Sequence, residues 1–106
     1  MTVNKNIDQE LYKKVSVNDL ILFSVFSINR KCTFEELVRE CFSYFPKAFS
    51  FSGISKWPDS RKLDRPLRDL RKKGLIRGDS KVYYLTKNGK KRALDISKTF
   101  RQSKLI

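Results

Sequence analysis

Arg61, Arg65, Arg68 and Lys72 recur at the three- and four-residue spacing that stacks side chains along one face of an α-helix. Guanidinium and ammonium groups in such a row do one kind of chemistry well, which is to neutralise and hydrogen-bond anionic oxygens. Leu63, Leu67, Leu70 and Gly74 take the opposite stripe, within the run LDRPLRDLRKKGLI from Leu63 to Ile76. The segment therefore has one face to bury and another that carries four cations and no carboxylate. A nucleic-acid backbone attracts such a face. An exposed row of cations that only keeps a small protein in solution has the same sequence signature.

The charge distribution extends this reading. The chain has 106 residues and a formal charge of +13. Residues 1–55 hold seven Lys/Arg against six Asp/Glu, a net of +1, whereas residues 56–106 hold seventeen against five, a net of +12. Self-repulsion on that scale destabilises a compact state unless a polyanion relieves it. DNA, RNA, an acidic protein and an anionic membrane surface are the candidate partners. The membrane is the weakest, because the apolar run Leu20 to Ile28 is broken by Ser24 and Ser27 and is too short to span a bilayer. The start, MTVNKN, lacks a signal-peptide layout, which predicts a cytoplasmic protein, nucleoid-associated if the source is prokaryotic.

Catalysis and cofactors find no support in the residues. The chain has no histidine, no Gly-rich phosphate loop and no carboxylate pair in an apolar setting, so no catalytic residue and no enzyme activity is expected. Cys32 and Cys41 lack metal-ligand spacing, which predicts no metal and no cofactor. Cys41 lies on an apolar helical stripe and reads as a small core residue.

The elements that must position these residues read in order along one domain, 1–106, with residues 1–6 frayed and 98–106 a tail or helix end. Ile7, Leu11 and Val15 suggest a short amphipathic turn. Ser16 or Asn18 caps a largely buried helix through Leu20, Ile21, Val25 and Ile28, ending near Asn29. Thr33 and Glu36 form a T-x-x-E capping box. Phe34, Leu37, Val38, Cys41, Phe42 and Phe45 then trace a full apolar stripe that Pro46 ends. Residues 46–58 form a long connection rich in aromatics, and an ordered lid fits them better than a loose linker. Phe49, Phe51, Ile54 and Trp57 either plug the core or, for Trp57 and Phe51, form part of a partner surface. The basic helix spans 60–73 with an irregular first turn around Pro66, or else starts at 64 with Arg61 and Lys62 in the approach. Asp64 and Asp69 read as helix partners for neighbouring arginines.

Leu75 and Ile76 then read as a short strand, Gly78-Asp79-Ser80 as a turn and Val82 to Leu85 as the returning strand. Tyr83 and Tyr84 point to opposite faces of it. Thr86 caps a last helix with Ala93, Ile96, Ser97 and Phe100 on one stripe. Lys87, Lys90, Lys91 and Arg92 crowd its first turns, against the helix dipole, so an external partner or plain solvation must account for them.

This order resembles a winged helix-turn-helix domain, mainly α with a small β-hairpin, built as a three-helix core plus a wing and a C-terminal helix. Over Leu67 to Ala93, LRDLRKKGLIRGDSKVYYLTKNGKKRA, it is similar to regulators of the MarR and PadR kind. Leu67, Leu70, Lys73, Gly74, Leu75, Ile76, Tyr84, Leu85, Thr86, Gly89 and Ala93 match their LxxLxKKGLI and YxLTxxGxxxA runs. The resemblance covers about a quarter of the chain closely and is far more specific for fold than for function. It implies a recognition helix in the major groove of double-stranded DNA and a wing at 75–85 on the backbone. Ser60, Arg61, Lys62 and Arg65 would then reach base edges, and Arg68, Lys72 and Lys56 would meet phosphates. Arg77 and Lys81 would bind the flanking backbone, with Lys87, Lys90 and Lys91 extending the surface. The chain departs from the pattern in its long second connection and short wing tip.

A transcriptional regulator or the DNA-binding subunit of a larger system is the first expectation. RNA binding suits the same charge but lacks an evident aromatic stacking platform. A winged-helix protein-interaction module, docking an acidic partner, is the third. Ile7, Leu11, Val15, Ile96, Phe100, Leu105 and Ile106 either join two copies as a homodimer through terminal helices or close the chain's own core.

Overall fold

The computed structural model describes residues 15–78 and 81–104, with the backbone alone for Ser55 and 101–104. The readings that fall on Ile7, Leu11, Leu105, Ile106, Asp79 and Ser80 lie outside the described residues.

Helix α1, Val17–Ile28, starts where the Ser16 hydroxyl accepts a hydrogen bond from the Asp19 N–H (3.2 Å). It ends at Asn29, whose φ of 61° gives a left-handed cap. Leu20, Ile21, Leu22, Ser24 and Val25 are buried, so this helix is the centre of the molecule. It packs against each of the other long helices, α2 (Phe34–Tyr44), α4 (Asp64–Lys72) and α5 (Lys87–Lys104).

The capping box at the start of α2 forms as the spacing predicts. The Glu36 N–H donates to the Thr33 hydroxyl (3.1 Å), and the Thr33 N–H donates to the Glu36 carboxylate (3.0 Å). Arg30 clamps the same carboxylate from outside at 2.5 and 3.2 Å. That guanidinium, helped by the Thr33 N–H, holds Glu36 down at about 2, against an ordinary 4.5. Leu37, Cys41 and Tyr44 form the buried stripe. Phe45 follows them into the core, where its ring meets those of Phe23, Phe49 and Phe100. Burial pushes the Cys32 thiol up to about 11 and the Cys41 thiol to about 12.

The long connection is more structured than its sequence suggested. Pro46 opens a four-residue turn of helix, α3 (Pro46–Phe49), at a first-turn position where its missing N–H leaves nothing unpaired. A two-stranded antiparallel hairpin follows, β2 (Ser50–Phe51) with β3 (Ile54–Pro58). Phe49 plugs the core and Phe51 is half-buried, but Ile54 and Trp57 stay in solvent. The expected core-plug role thus holds for one end of the connection and fails at the other.

Of the two readings of the basic helix, an irregular first turn from 60 or a start at 64, the structure combines both. Ser60–Leu63 is a 3-10 turn capped by Asp59, and the α-helix proper is α4, Asp64–Lys72. Pro66 is the physical reason. As the third residue of α4 it needs no N–H partner, whereas inside a helix begun at 60 it would break a bond.

β4 (Ile76–Gly78) and β5 (Val82–Leu85) form the expected hairpin with its first strand shifted, since Leu75 precedes the strand and Gly78, read as turn, pairs with Tyr83. Ile76 stands opposite Leu85 and Arg77 opposite Tyr84. A third strand that sequence patterning missed, β1 (Cys32–Thr33), pairs with β5, giving the order β1-β5-β4. Its two residues are too few to carry a periodicity. The fold is mainly helical with a small antiparallel sheet, an α+β arrangement. Among the described residues no helix is long and apolar enough to cross a membrane.

Candidate nucleic-acid interface

The frame of the candidate site is α4 and the hairpin that follows it. Leu63, Leu67 and Leu70 are buried, which leaves Arg65, Arg68 and Lys72 pointing into solvent from the opposite side. Asp64 lies in the first turn of α4 and Arg71 and Lys72 in the last, the order that the helix dipole favours.

The turn after α4 is fixed at both ends. The Leu75 N–H donates to the Leu70 carbonyl and the Gly74 N–H to the Arg71 carbonyl, each at 3.0 Å. Gly74 makes this possible with φ +72°. Thr86 then ties the turn to α5. Its hydroxyl donates to the Gly74 carbonyl (2.6 Å) and accepts from the Gly89 N–H (3.0 Å), while its own N–H donates to the Leu75 carbonyl (3.1 Å). A Cβ on Gly89 would sit 2.0 Å from that same carbonyl oxygen, so only glycine lets α5 approach this closely. Gly74, Thr86 and Gly89 are therefore a clamp that sets the hairpin's position against the basic helix.

Ion pairing sorts the cations. Arg92 is engaged inside the fold, bidentate to Asp19 at 2.7 and 3.2 Å, which links α5 to α1. Arg61 pairs with Asp59 (3.3 Å) and lies 5.5 Å from the centre of the Phe51 ring. By contrast, Lys56, Lys62, Arg65, Arg68, Lys72, Arg77, Lys87, Lys90 and Lys91 close no ion pair among the described residues. Neither Asp64 nor Asp69 does so, and the arginine pairing expected of them is not formed.

The structure brings some of the predicted residues together and separates others. Ser60, Arg61 and Lys62 lie in the 3-10 turn, outside the regular spacing of Arg65, Arg68 and Lys72. Arg77 projects from β4, and Tyr84 stands opposite it on β5. Arg77 and Tyr84 line an open concavity together with Lys31 and Arg71, two cations that the sequence reading did not single out. The Arg71 guanidinium lies 5.0 Å from the Tyr83 ring centre and the Lys31 ammonium 5.4 Å from that of Tyr84. Tyr83 is buried and Tyr84 half-buried, as opposite faces of one strand require. A second hollow of about 290 Å³ is lined by Val25, Phe26, Lys31, Tyr84, Leu85 and Lys90. Lys87 and Lys91 are exposed on α5 and line neither concavity, and Lys81 is exposed at the start of β5.

Arg71 was legible in part, since it sits between the cationic stripe and the leucines on the helical wheel. Lys31 was not, because its place depends on the short β1 pairing. Among the described residues no cluster of three metal-ligating side chains forms. The arrangement can hold a row of anionic oxygens along α4 and the outer face of the sheet. No family model, curated protein or solved structure matches this chain.

Proposed function

We propose that the chain is a winged-helix DNA-binding protein, a transcriptional regulator or the DNA-binding subunit of a larger system. In this reading α4 enters the major groove and the β4–β5 hairpin lies on the neighbouring backbone. The observation that carries it is the row Arg65, Arg68 and Lys72, exposed and without ion pairs among the described residues, on a helix whose other face is buried. Strand order β1-β5-β4 and the Gly74–Thr86–Gly89 clamp support it, because they hold a cationic hairpin at a fixed angle to that helix. Arg65, in the first turn of α4, suits bidentate contact with guanine, whereas Arg68 and Lys72 further along suit phosphates. Arg71, Arg77 and Lys31 extend the phosphate-binding surface across the sheet.

Titration of the protein with duplex DNA at several salt concentrations tests this. About six phosphate contacts give a log–log salt slope of roughly −5. Undetectable binding at about 50 mM salt overturns the proposal. Competition with structured RNA of the same length, if RNA wins, moves the assignment to RNA.

A further inference from the structure

Of the β2–β3 hairpin the DNA-binding reading uses only Lys56, and it leaves the exposed apolar residues there without a role. The hairpin's features are unusual for a connection. Trp57 is 59% exposed and Ile54 46%, while Phe45 and Phe49 in the preceding turn are fully buried. The hairpin does not hang loose. The Asp59 N–H donates to the Phe49 carbonyl (2.6 Å), Ser50 pairs with Pro58, and the Arg61 guanidinium packs over Phe51. Trp57 is thus presented in solvent by a segment anchored at the entry to α4.

The charge of the segment is mostly of one sign. Residues 46–63 contain Lys47, Lys56, Arg61 and Lys62 and a single acid, Asp59. Asp59 is only 7% exposed, and it accepts both the Arg61 N–H and the Arg61 side chain. A flat exposed indole beside several cations, with no exposed carboxylate in the segment, complements a polymer that is anionic along its backbone and offers aromatic faces, which is a nucleic acid.

We propose that the β2–β3 hairpin is a second nucleic-acid contact, in which the Trp57 indole stacks on a nucleobase of the bound DNA and Lys56 takes the adjoining phosphate. This rests on the DNA-binding reading of α4 and extends its footprint beyond the helix and the wing. The base face is exposed at an opened step, as happens when apolar side chains wedge into a duplex.

Trp57 is the only tryptophan in the chain, so its emission reports on this contact alone. A duplex of about 20 base pairs, two helical turns, is titrated into the protein at about 50 mM salt. Emission is expected to be quenched in step with binding. Trp57→Ala is expected to weaken binding by roughly five- to a hundredfold, and Trp57→Phe to retain most of the affinity. Circular dichroism of Trp57→Ala is expected to match the wild type, since the side chain is outside the core. Unchanged emission, with Trp57→Ala within twofold of wild type while Arg68→Ala still weakens binding, overturns the hairpin contact and leaves the α4 reading standing. Absence of any binding by the wild type overturns both. Emission that changes with protein concentration before DNA is added assigns the indole to a second copy of the chain, and also overturns the proposal.

Discussion

Thr86 ties the end of α4 to the start of α5. Its hydroxyl donates to Gly74 at the end of α4 and accepts from Gly89 in the first turn of α5, while the Thr86 N–H holds Leu75. Its capping role was legible, because threonine before a helical stripe satisfies a free N–H of the first turn. Its bond to Gly74 was not, since that partner lies 12 residues away and only the folded hairpin brings it near. Gly89 explains the spacing of the motif. Gly89→Ala forces a methyl against the Leu75 carbonyl and is expected to lower stability by about 1–3 kcal/mol, read from the denaturant midpoint. Thr86→Val keeps the shape and removes the hydroxyl, with an expected loss of about 1–2 kcal/mol. The two cysteines belong to the same scale. Both are buried, with thiols held near 11 and 12, so in the native protein they are expected to resist a thiol reagent at neutral pH and to react together once denaturant is added.

At the level of elements, legibility followed length and periodicity. Helices α1, α2 and α5 were readable because each carries a stripe repeated over several turns and a capping side chain at its start. The β2–β3 hairpin was not, because its two strands have two and five residues and alternate no polar and apolar faces. Its aromatics suggested burial, yet Trp57 stays in solvent. The start of α4 was half legible, for Pro66 left Arg68 and Lys72 helical in either reading but left open whether 60–63 would be an irregular first turn or an approach loop. The geometry that resulted makes a prediction about α4. Arg65, in its first turn, is expected to set sequence preference, so Arg65→Ala should flatten the difference between strong and weak sites. Arg68→Ala should weaken all sequences alike and reduce the salt slope by about 1. Equal, sequence-blind losses from both variants, measured by selection on random oligonucleotides, would remove the base-reading role of Arg65. The capping box of α2 carries a prediction of its own. Because Glu36 is held at about 2 when folded and titrates near 4.5 when free, its contribution is complete above the higher value and is lost as pH falls toward the lower. Between those values the wild type is therefore expected to lose stability more steeply than Glu36→Gln, measured as the denaturant midpoint against pH.

Across the whole molecule the excess positive charge makes salt act in two opposite directions. The chain carries +13 and has a Cα radius of gyration of 13.1 Å. At about 0.05 M salt the Debye length is about 14 Å, comparable to that radius, so cations on different elements repel one another. At about 0.5 M it shrinks to about 4 Å, and only adjacent charges still interact. The ion pairs Arg30–Glu36, Arg61–Asp59 and Arg92–Asp19 offset part of this repulsion, the first of them largely in solvent. Added salt should therefore stabilise the free protein. A gain of about 1 kcal/mol raises the melting midpoint by roughly 4–8 °C in a chain of this size. The same salt should strip the protein from DNA, by about five powers of ten over that range for a slope near −5. Adding duplex DNA at low salt should raise the midpoint, through both binding and charge neutralisation, and that rise should vanish at high salt. These opposite signs separate a surface built to meet a polyanion from one whose charges only solvate it. If the charges only solvate the surface, the midpoint still rises with salt but does not respond to DNA at low salt. If the positive charge were already balanced within the fold, the midpoint of the free protein would not move with salt at all.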